Sequence, residues 1–506
     1  MVMDSKNPDL MRVSDLLINY LEQEQVRYIF GITGKTISPV FDSALNSSTL
    51  KMITTAHEAG AAFMAYGYSQ ATGRLSVCCA TTGGGITNLT TGVASAYVHS
   101  LPMLVITGQI PTSQFGKNGF QESTGLGRTL NSVYLLKQVC KDSFMLTCPD
   151  KAADAFQYAL RLALSHRQGP VHINIPIDVQ LALIEKKTPV LRSLFIPQNQ
   201  PGSSTKTLTT LLDQIEKSSK PVLLMGWGAI LSQAQNLIIQ FCELLNIPIA
   251  TTVQGKGGVD ANHPLCLGVM GLCGHQSART YLLEKSDLII AVGTSLGEFN
   301  TLNWDPKFGQ NKHLIQIDID PSEIGKNYPV HTPVIGDAYV IFEQLIDTLK
   351  IRSLKPKNYP LTSLQTHFNW NKCLNPEKTT SKQTPILPQT LLKELREHTP
   401  DSTLFLGDSS AHWCWMNHYL PIFKGGMYYP TQGLGSMGTG IASAIGIKLA
   451  KPHHPVVCIC GDGSFLMHGN EVATAVHYAI AVIWIIFNDQ RYAMPFIGTE
   501  KLRSEE

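Results

Sequence analysis

VVCICGDGSFLMHGNEVATAV (residues 456–476), followed by AVIWIIFND (481–489), is the stretch that decides the fold. Each half opens on an uninterrupted apolar run, 456–460 and 481–487, that ends in an acid-bearing turn, Gly461-Asp462-Gly463-Ser464 or Asn488-Asp489. Between the two runs, residues 470–478 have helical composition. Strand, helix, strand is one βαβ unit. Its parallel strands carry both acids to one edge of a sheet, the edge at which open α/β sheets bind ligands. Two carboxylates with backbone carbonyls nearby suit a hard divalent cation such as Mg²⁺, which completes its shell with phosphate oxygens. Gly463 and Ser464 precede the helix, so their N–H groups can face a phosphate. A GDG triplet alone is also an ordinary strand-to-helix turn, and Asn-Asp another. The two at this spacing favour a metal–diphosphate site.

The same alternation extends outward through the chain. Strands at 403–406 and 456–460 flank a small-residue helix at 438–449, making a third block that starts near Ile386. A first block has strands at 26–30, 51–54, 76–80, 103–107 and 171–175, with helices at 59–71 and 88–97. A second block has strands at 221–225, 287–292 and 313–319, each closed by a glycine or an acid–proline turn. Polar, Pro-containing segments at 188–205 and 353–385 read as linkers. The expected fold is therefore α/β, three doubly wound parallel-sheet domains over 1–187, 206–350 and 386–506.

Composition bounds the function. In 506 residues, 40 Lys+Arg face 38 Asp+Glu, and charged residues make up 15%. No basic block marks a nucleic-acid or anionic-membrane partner. With 43% apolar and 8% aromatic residues the chain can build several packed cores. The apolar run at 479–487 is about half of the ~20 residues that a spanning helix needs. The start, MVMDSKNPDLMRVSDLL, carries acids and no apolar core, so no signal peptide is expected. Eleven cysteines without a CxxC pair read as reduced thiols in a cytoplasm. These features together describe a soluble cytoplasmic enzyme.

A second signal is His57-Glu58-Ala59, after a strand and ahead of a small-residue helix. A lone Glu there can be a macrodipole acid, or a partly buried carboxyl with a chemical role. The turn Thr82-Gly83-Gly84-Gly85 closes the next strand and could let a flat ligand touch backbone at Gly84.

These residues carry a family resemblance. HEAGAAFMAYGYSQATGR (57–74), TTGGGITN (81–88) and GFQE (119–122) resemble the pyrimidine-binding domain of thiamine diphosphate (ThDP) enzymes. GLGSMGTG (433–440), GDGSFLMHGNEVATAV and ND resemble their diphosphate-binding domain. HPLCLGVMG (263–271) and QIDIDPSEIGKNYPV (316–330) are similar to the central domain of the acetolactate synthase branch. The likeness is collinear from about residue 11 to residue 494.

The resemblance implies roles residue by residue. Glu58 matches the glutamate that hydrogen-bonds N1′ of the aminopyrimidine, and Met437 the bulky residue that bends the cofactor so that its own base meets its own carbon acid. Asp462, Asp489 and the backbone carbonyl of Arg491 match the Mg²⁺ ligands, with Asp489 standing where many relatives have Asn. His412, Gly463 and Ser464 match diphosphate contacts, and Gly84 and Met494 further cofactor contacts. Phe120 and Gln121 match side chains above the thiazolium. Lys35 replaces a glycine of a Pro-Gly-Gly turn and brings a cation either to the active centre or to solvent. Ser295 and Phe299 stand where anabolic acetolactate synthases have two arginines associated with FAD and the substrate carboxylate, which weakens both FAD binding and the acetolactate assignment.

The implied activity is decarboxylation of a pyruvate-like 2-oxo acid and transfer of the acyl-carbanion equivalent to a carbonyl acceptor. Simple decarboxylation and a non-catalytic ThDP-fold protein are the alternatives. The implied assembly is a homodimer or homotetramer with an interface above ~2,000 Å². Only 17 residues follow Asp489, whereas the family continues through another helix and strand. Two explanations compete, a C-terminally truncated third domain or a flank covered by another subunit or a rearranged tail. Truncation is the expectation, with one flank of the sheet uncovered, weak ThDP binding, poor turnover and a tendency to aggregate.

Overall fold

The computed structural model describes residues 8–196, 200–352, 354–358 and 368–504. Parts of both predicted linkers (197–199, 353 and 359–367) lie outside the described residues. The chain divides into two compact units, residues 8–196 with 431–491 and residues 200–430 with 492–504.

The first unit opens on β1 (Leu10–Arg12), which pairs antiparallel with β8 (Leu183–Glu185). Six parallel strands follow: β2 (Tyr28–Gly31), β3 (Lys51–Thr54), β4 (Ser76–Ala80), β5 (Met103–Gln109), β6 (Asp142–Met145) and β7 (Pro170–Pro176). Their order in the sheet is β3-β2-β4-β5-β7-β6. Every residue of β4, β5 and β7 is buried, as expected of parallel strands covered on both faces. The second unit holds another six-stranded parallel sheet: β9 (Pro221–Met225), β10 (Ile249–Thr251), β11 (Cys266–Val269), β12 (Leu288–Val292), β13 (His313–Asp318) and β14 (Thr332–Ile335), ordered β11-β10-β9-β12-β13-β14. The third sheet is also parallel. β15 (Leu404–Gly407) pairs with β16 (Met427–Tyr429) in the second unit, and β17 (Val456–Gly461) with β18 (Ile483–Phe487) in the first. The chain is α/β with three parallel sheets.

The predicted first-block strand at 26–30 is displaced to Tyr28–Gly31, and the short strands β6, β10, β11, β14 and β16 have no counterpart in the sequence reading. Each has three or four residues, too few for a periodic signal. Ile483 and Ile486 on β18 are exposed, so this strand is uncovered among the described residues.

Small residues decide how the first unit packs. The Glu58–Thr72 helix is buried along nearly its whole length and lies against the Thr439–Ala450 helix. Gly67 and Gly446 make that approach possible. A Cβ on Gly67 would fall 2.2 Å from the Ser443 carbonyl oxygen, and one on Gly446 1.9 Å from the Met64 carbonyl oxygen. Ser443 Oγ also donates to the Phe63 carbonyl at 3.1 Å. No described helix is long and apolar enough to cross a membrane.

Candidate active site

Glu58 is the first residue of its helix, because His57 is extended and caps it, its Nδ1 accepting the Ala59 N–H at 3.1 Å. The Glu58 side chain is half-buried, and Oε2 accepts from Asn88 Nδ2 at 2.9 Å. Its other oxygen lies toward the glycine turn: a Cβ on Gly85 would be 3.4 Å from Oε1. Gly83, at φ +73°, turns the chain from β4 into the Gly84–Val98 helix. Gly84 has open space around its missing side chain. The loop from 116 to 124 reaches the same turn. Thr82 Oγ1 donates to the Gln121 carbonyl at 3.0 Å, and a Cβ on Gly83 would be 3.1 Å from Cβ of Gln121. Glu58, Gly84 and Gln121 are thereby gathered around one turn. Phe120 is 87% exposed, and Lys35 is also exposed.

Glu122 organises that loop. Its carboxylate accepts the Thr124 hydroxyl at 2.6 Å and the Gly116 and Gly119 N–H groups at 2.7 and 3.1 Å, and these bonds, the Thr124 one foremost, hold its pKa below the ordinary value. A second buried acid, Glu471, accepts the N–H groups of Ala56 and His57, the two residues before Glu58. Burial, the largest influence, raises its pKa. Asn88, Glu122 and Glu471 carry no role in the sequence reading. For Asn88 and Glu471 the one sequence signal is a polar or acidic residue inside a small-residue helix or at its start. Glu122 lies in a loop, where no such pattern marks it.

The GDG–ND pair is assembled by strand register. Gly461 on β17 pairs with Phe487 on β18, so Asp462 and Asn488-Asp489 leave adjacent strand ends at one edge. Asp462 begins the Asp462–His468 helix, which places Gly463 and Ser464 in its first turn, one step later than expected. Asp462 Oδ1 accepts the Gly463 N–H at 2.9 Å. Asp489 is exposed, and the Arg491 Nε donates to its backbone carbonyl at 3.3 Å across Gln490, at φ +57°. Met437 is half-buried and precedes Gly438, at φ +88°, where a Cβ would strike the His468 ring at 2.3 Å. His412 and Met494 belong to the second unit. His412 is buried, donates from Nε2 to the Asp408 carbonyl at 2.7 Å, and is held neutral with a pKa of about 4 by that burial.

The donor set suits a diphosphate–metal group. Ser464 Oγ is fully buried without a hydrogen-bond partner, an orphan that a phosphate oxygen would satisfy. Among the described residues no cluster of three or more acid, His or Cys side chains forms. Two carboxylates at one edge, short of a complete cage, match the way Mg²⁺ binds through one or two carboxylates plus substrate phosphates.

Comparison with known proteins places the three blocks in one family. Residues 11–127 match the N-terminal TPP binding domain of thiamine pyrophosphate enzymes, 208–345 their central domain and 408–501 their C-terminal TPP binding domain. Thiamine pyrophosphate is ThDP. The chain belongs to the thiamine pyrophosphate enzyme family. It is 36% identical over 503 residues to the probable acetolactate synthase large subunit of Methanococcus aeolicus, covering 96% of this chain and 82% of that protein. The corresponding protein of Methanocaldococcus jannaschii is 35% identical over 496 residues, with 96% and 81% covered. The acetolactate synthase large subunit of Corynebacterium glutamicum is 31% identical over 493 residues, with 97% and 77% covered. The chain is a ThDP enzyme related to acetolactate synthase.

Proposed function

We propose that the protein decarboxylates a pyruvate-like 2-oxo acid and transfers the two-carbon unit, or its homologue, to a carbonyl acceptor, as acetolactate synthases are named for doing. When bound, ThDP supplies the carbon nucleophile and the electron sink for loss of CO₂. The observation that carries the proposal is the setting of Glu58. Asn88 engages Oε2, which leaves Oε1 beside the Gly83–Gly85 turn to hold and release a proton. Gly84 leaves backbone open to a flat ring, and Gln121 borders the same turn. Asp462, Asp489 and the Arg491 carbonyl would hold Mg²⁺, and Gly463, Ser464 and His412 the diphosphate. Met437 would support the ring system, and Phe120 would line the reaction centre; Met494 carries the cofactor contact that the resemblance implies.

Ser295 and Phe299 supply no cation, and the Phe299 ring packs on Trp413 with centroids 5.5 Å apart, which supports an enzyme working without FAD. Exposed apolar side chains on the first unit, Phe120, Leu466 (86%) and Val476 (75%), support a homodimer or homotetramer. The eleven free cysteines support a cytoplasmic setting.

The test is a mass-spectrometric product screen with ThDP and Mg²⁺, using pyruvate and other 2-oxo acids alone and paired with aldehydes. A chiral 2-hydroxyketone or 2-hydroxy-2-oxoalkyl acid is expected. CO₂ release without a carbon–carbon product leaves simple decarboxylation, and no CO₂ from any 2-oxo acid overturns the proposal.

A further inference from the structure

The second unit contains a cavity of about 690 Å³, within the range of small-molecule sites. Its lining includes no Asp or Glu and two lysines, Lys256 and Lys372. Lys372 is exposed and stands at the rim, whereas Lys256 is only 4% exposed. The Lys256 ammonium donates to the Asn417 carbonyl at 2.9 Å and has no carboxylate partner among the described residues. The walls are apolar and aromatic, with Phe368, Trp415, Ile422 and Met494 among them.

Two stacked histidines, His275 and His418, also line the cavity, with ring centroids 5.3 Å apart. Their nitrogens are already committed. His275 accepts the Val269 N–H and donates to the His418 carbonyl; His418 donates to the Gly274 carbonyl and accepts the Leu374 N–H. They therefore form a neutral wall, and Lys256 is the one buried cation of the lining. An unpaired ammonium against apolar walls is costly, and burial pushes the amine down to about 7. A bound anion would remove that cost, and the walls would bury an apolar body attached to it.

We propose that this cavity binds an amphipathic organic anion, a carboxylate on an aromatic or branched apolar body, with Lys256 pairing the carboxylate. The site stands on second-unit residues and shares only Met494 with the ThDP reading. Glu58, Asp462 and Asp489 do not line it, although Met494 does.

The experiment is calorimetric titration of the full chain with 3-phenylpropionate and with the uncharged 3-phenylpropanamide, alongside Trp415 emission. The acid is expected to bind at least tenfold more tightly than the amide. Lys256→Met should remove that advantage, and Lys256→Arg should largely retain it. Cys414→Trp, which fills the cavity from another wall, should exclude both ligands from otherwise intact protein. Equal affinity for acid and amide, an acid affinity indifferent to Lys256→Met in folded protein, or no binding at millimolar acid would overturn the proposal. ThDP affinity, measured separately, reports on the other reading alone.

Discussion

The buried carboxylate of Glu471 accepts the backbone N–H of His57 at 2.9 Å and of Ala56 at 3.1 Å. Its helix, Glu471–His477, follows the GDG turn, so a side chain from the C-terminal TPP binding domain holds the turn that presents Glu58. Tyr478, just beyond that helix, accepts the Thr54 N–H at 2.9 Å, a second strap on the same segment. Gly60 leaves room for the carboxylate, since a Cβ there would lie 1.9 Å from Oε1.

Glu471→Gln turns an amide donor toward at least one of those N–H groups. Each buried donor left unsatisfied costs roughly 1–3 kcal/mol. We expect a lowered melting temperature and a fall in kcat larger than the change in KM, because Glu58 is misplaced while substrate contacts remain. Equal kcat in a variant that has lost stability would assign Glu471 a role in folding only.

Glu58→Gln keeps the shape and the Asn88 contact but cannot accept a proton. Turnover should drop by roughly 10²–10⁴, with ThDP affinity much less affected. C2–H exchange of bound ThDP, followed by NMR, is the direct readout. Unchanged exchange would reduce Glu58 to a helix-start acid.

Asp462 begins its helix at the edge where β17 and β18 end side by side, and Asp489 leaves from the neighbouring strand end. Asp462→Ala should weaken Mg²⁺-dependent ThDP binding by more than the roughly 10–100-fold that loss of an outer-shell partner costs a metal site. On the proposed Mg²⁺ site Asp489→Asn should be far milder, because an amide oxygen would still serve as a ligand. Chelation with EDTA should mimic Asp462→Ala in the unmodified protein, read out as ThDP affinity.

Gly446→Ala places a methyl 1.9 Å from the Met64 carbonyl oxygen, against backbone that has nowhere to go. Overpacking of a tight core typically costs about 1–3 kcal/mol. Denaturant unfolding of the variant should show a loss at the upper end of that range. Gly84→Ala, with open space around it, should leave stability nearly unchanged while weakening ThDP binding.

Lys256 faces Cys266, Cys373, His275 and His418, with no acid among them, and burial lowers its pKa from the usual 10.5 to about 7. Between these values the unfolded chain holds a proton that the folded chain has released. Stability from this group therefore rises with pH across that window and is lost as pH falls through about 7. Lys256→Met should flatten the melting-temperature profile between neutral and alkaline pH and raise it near pH 7. A profile with the same slope would assign the titration to another group.

The sequence by itself determined the parallel α/β class, the buried strands β4, β5, β7, β9, β12 and β17, and the pairing of Asp462 with Asn488-Asp489 at one sheet edge. These were legible because a parallel strand covered on both faces is a continuous apolar run, and because a βαβ unit forces both turns to the same side. Tertiary structure alone decided the rest. Nothing local marks Asn88 as the partner of Glu58, Glu471 as the brace of its turn, or Gln121 as the neighbour of Gly83, because each contact joins segments that only the fold brings together. The short strands β6, β10, β11, β14 and β16 were illegible for a related reason: their neighbours in the sheet stabilise them, and not a periodicity of their own. Lys256 reads in the sequence as one more surface charge. Only the packing of the Phe368, Trp415 and Ile422 walls around it turns that lysine into a buried, unpaired ammonium, since burial is a property of what surrounds a residue and not of the residue.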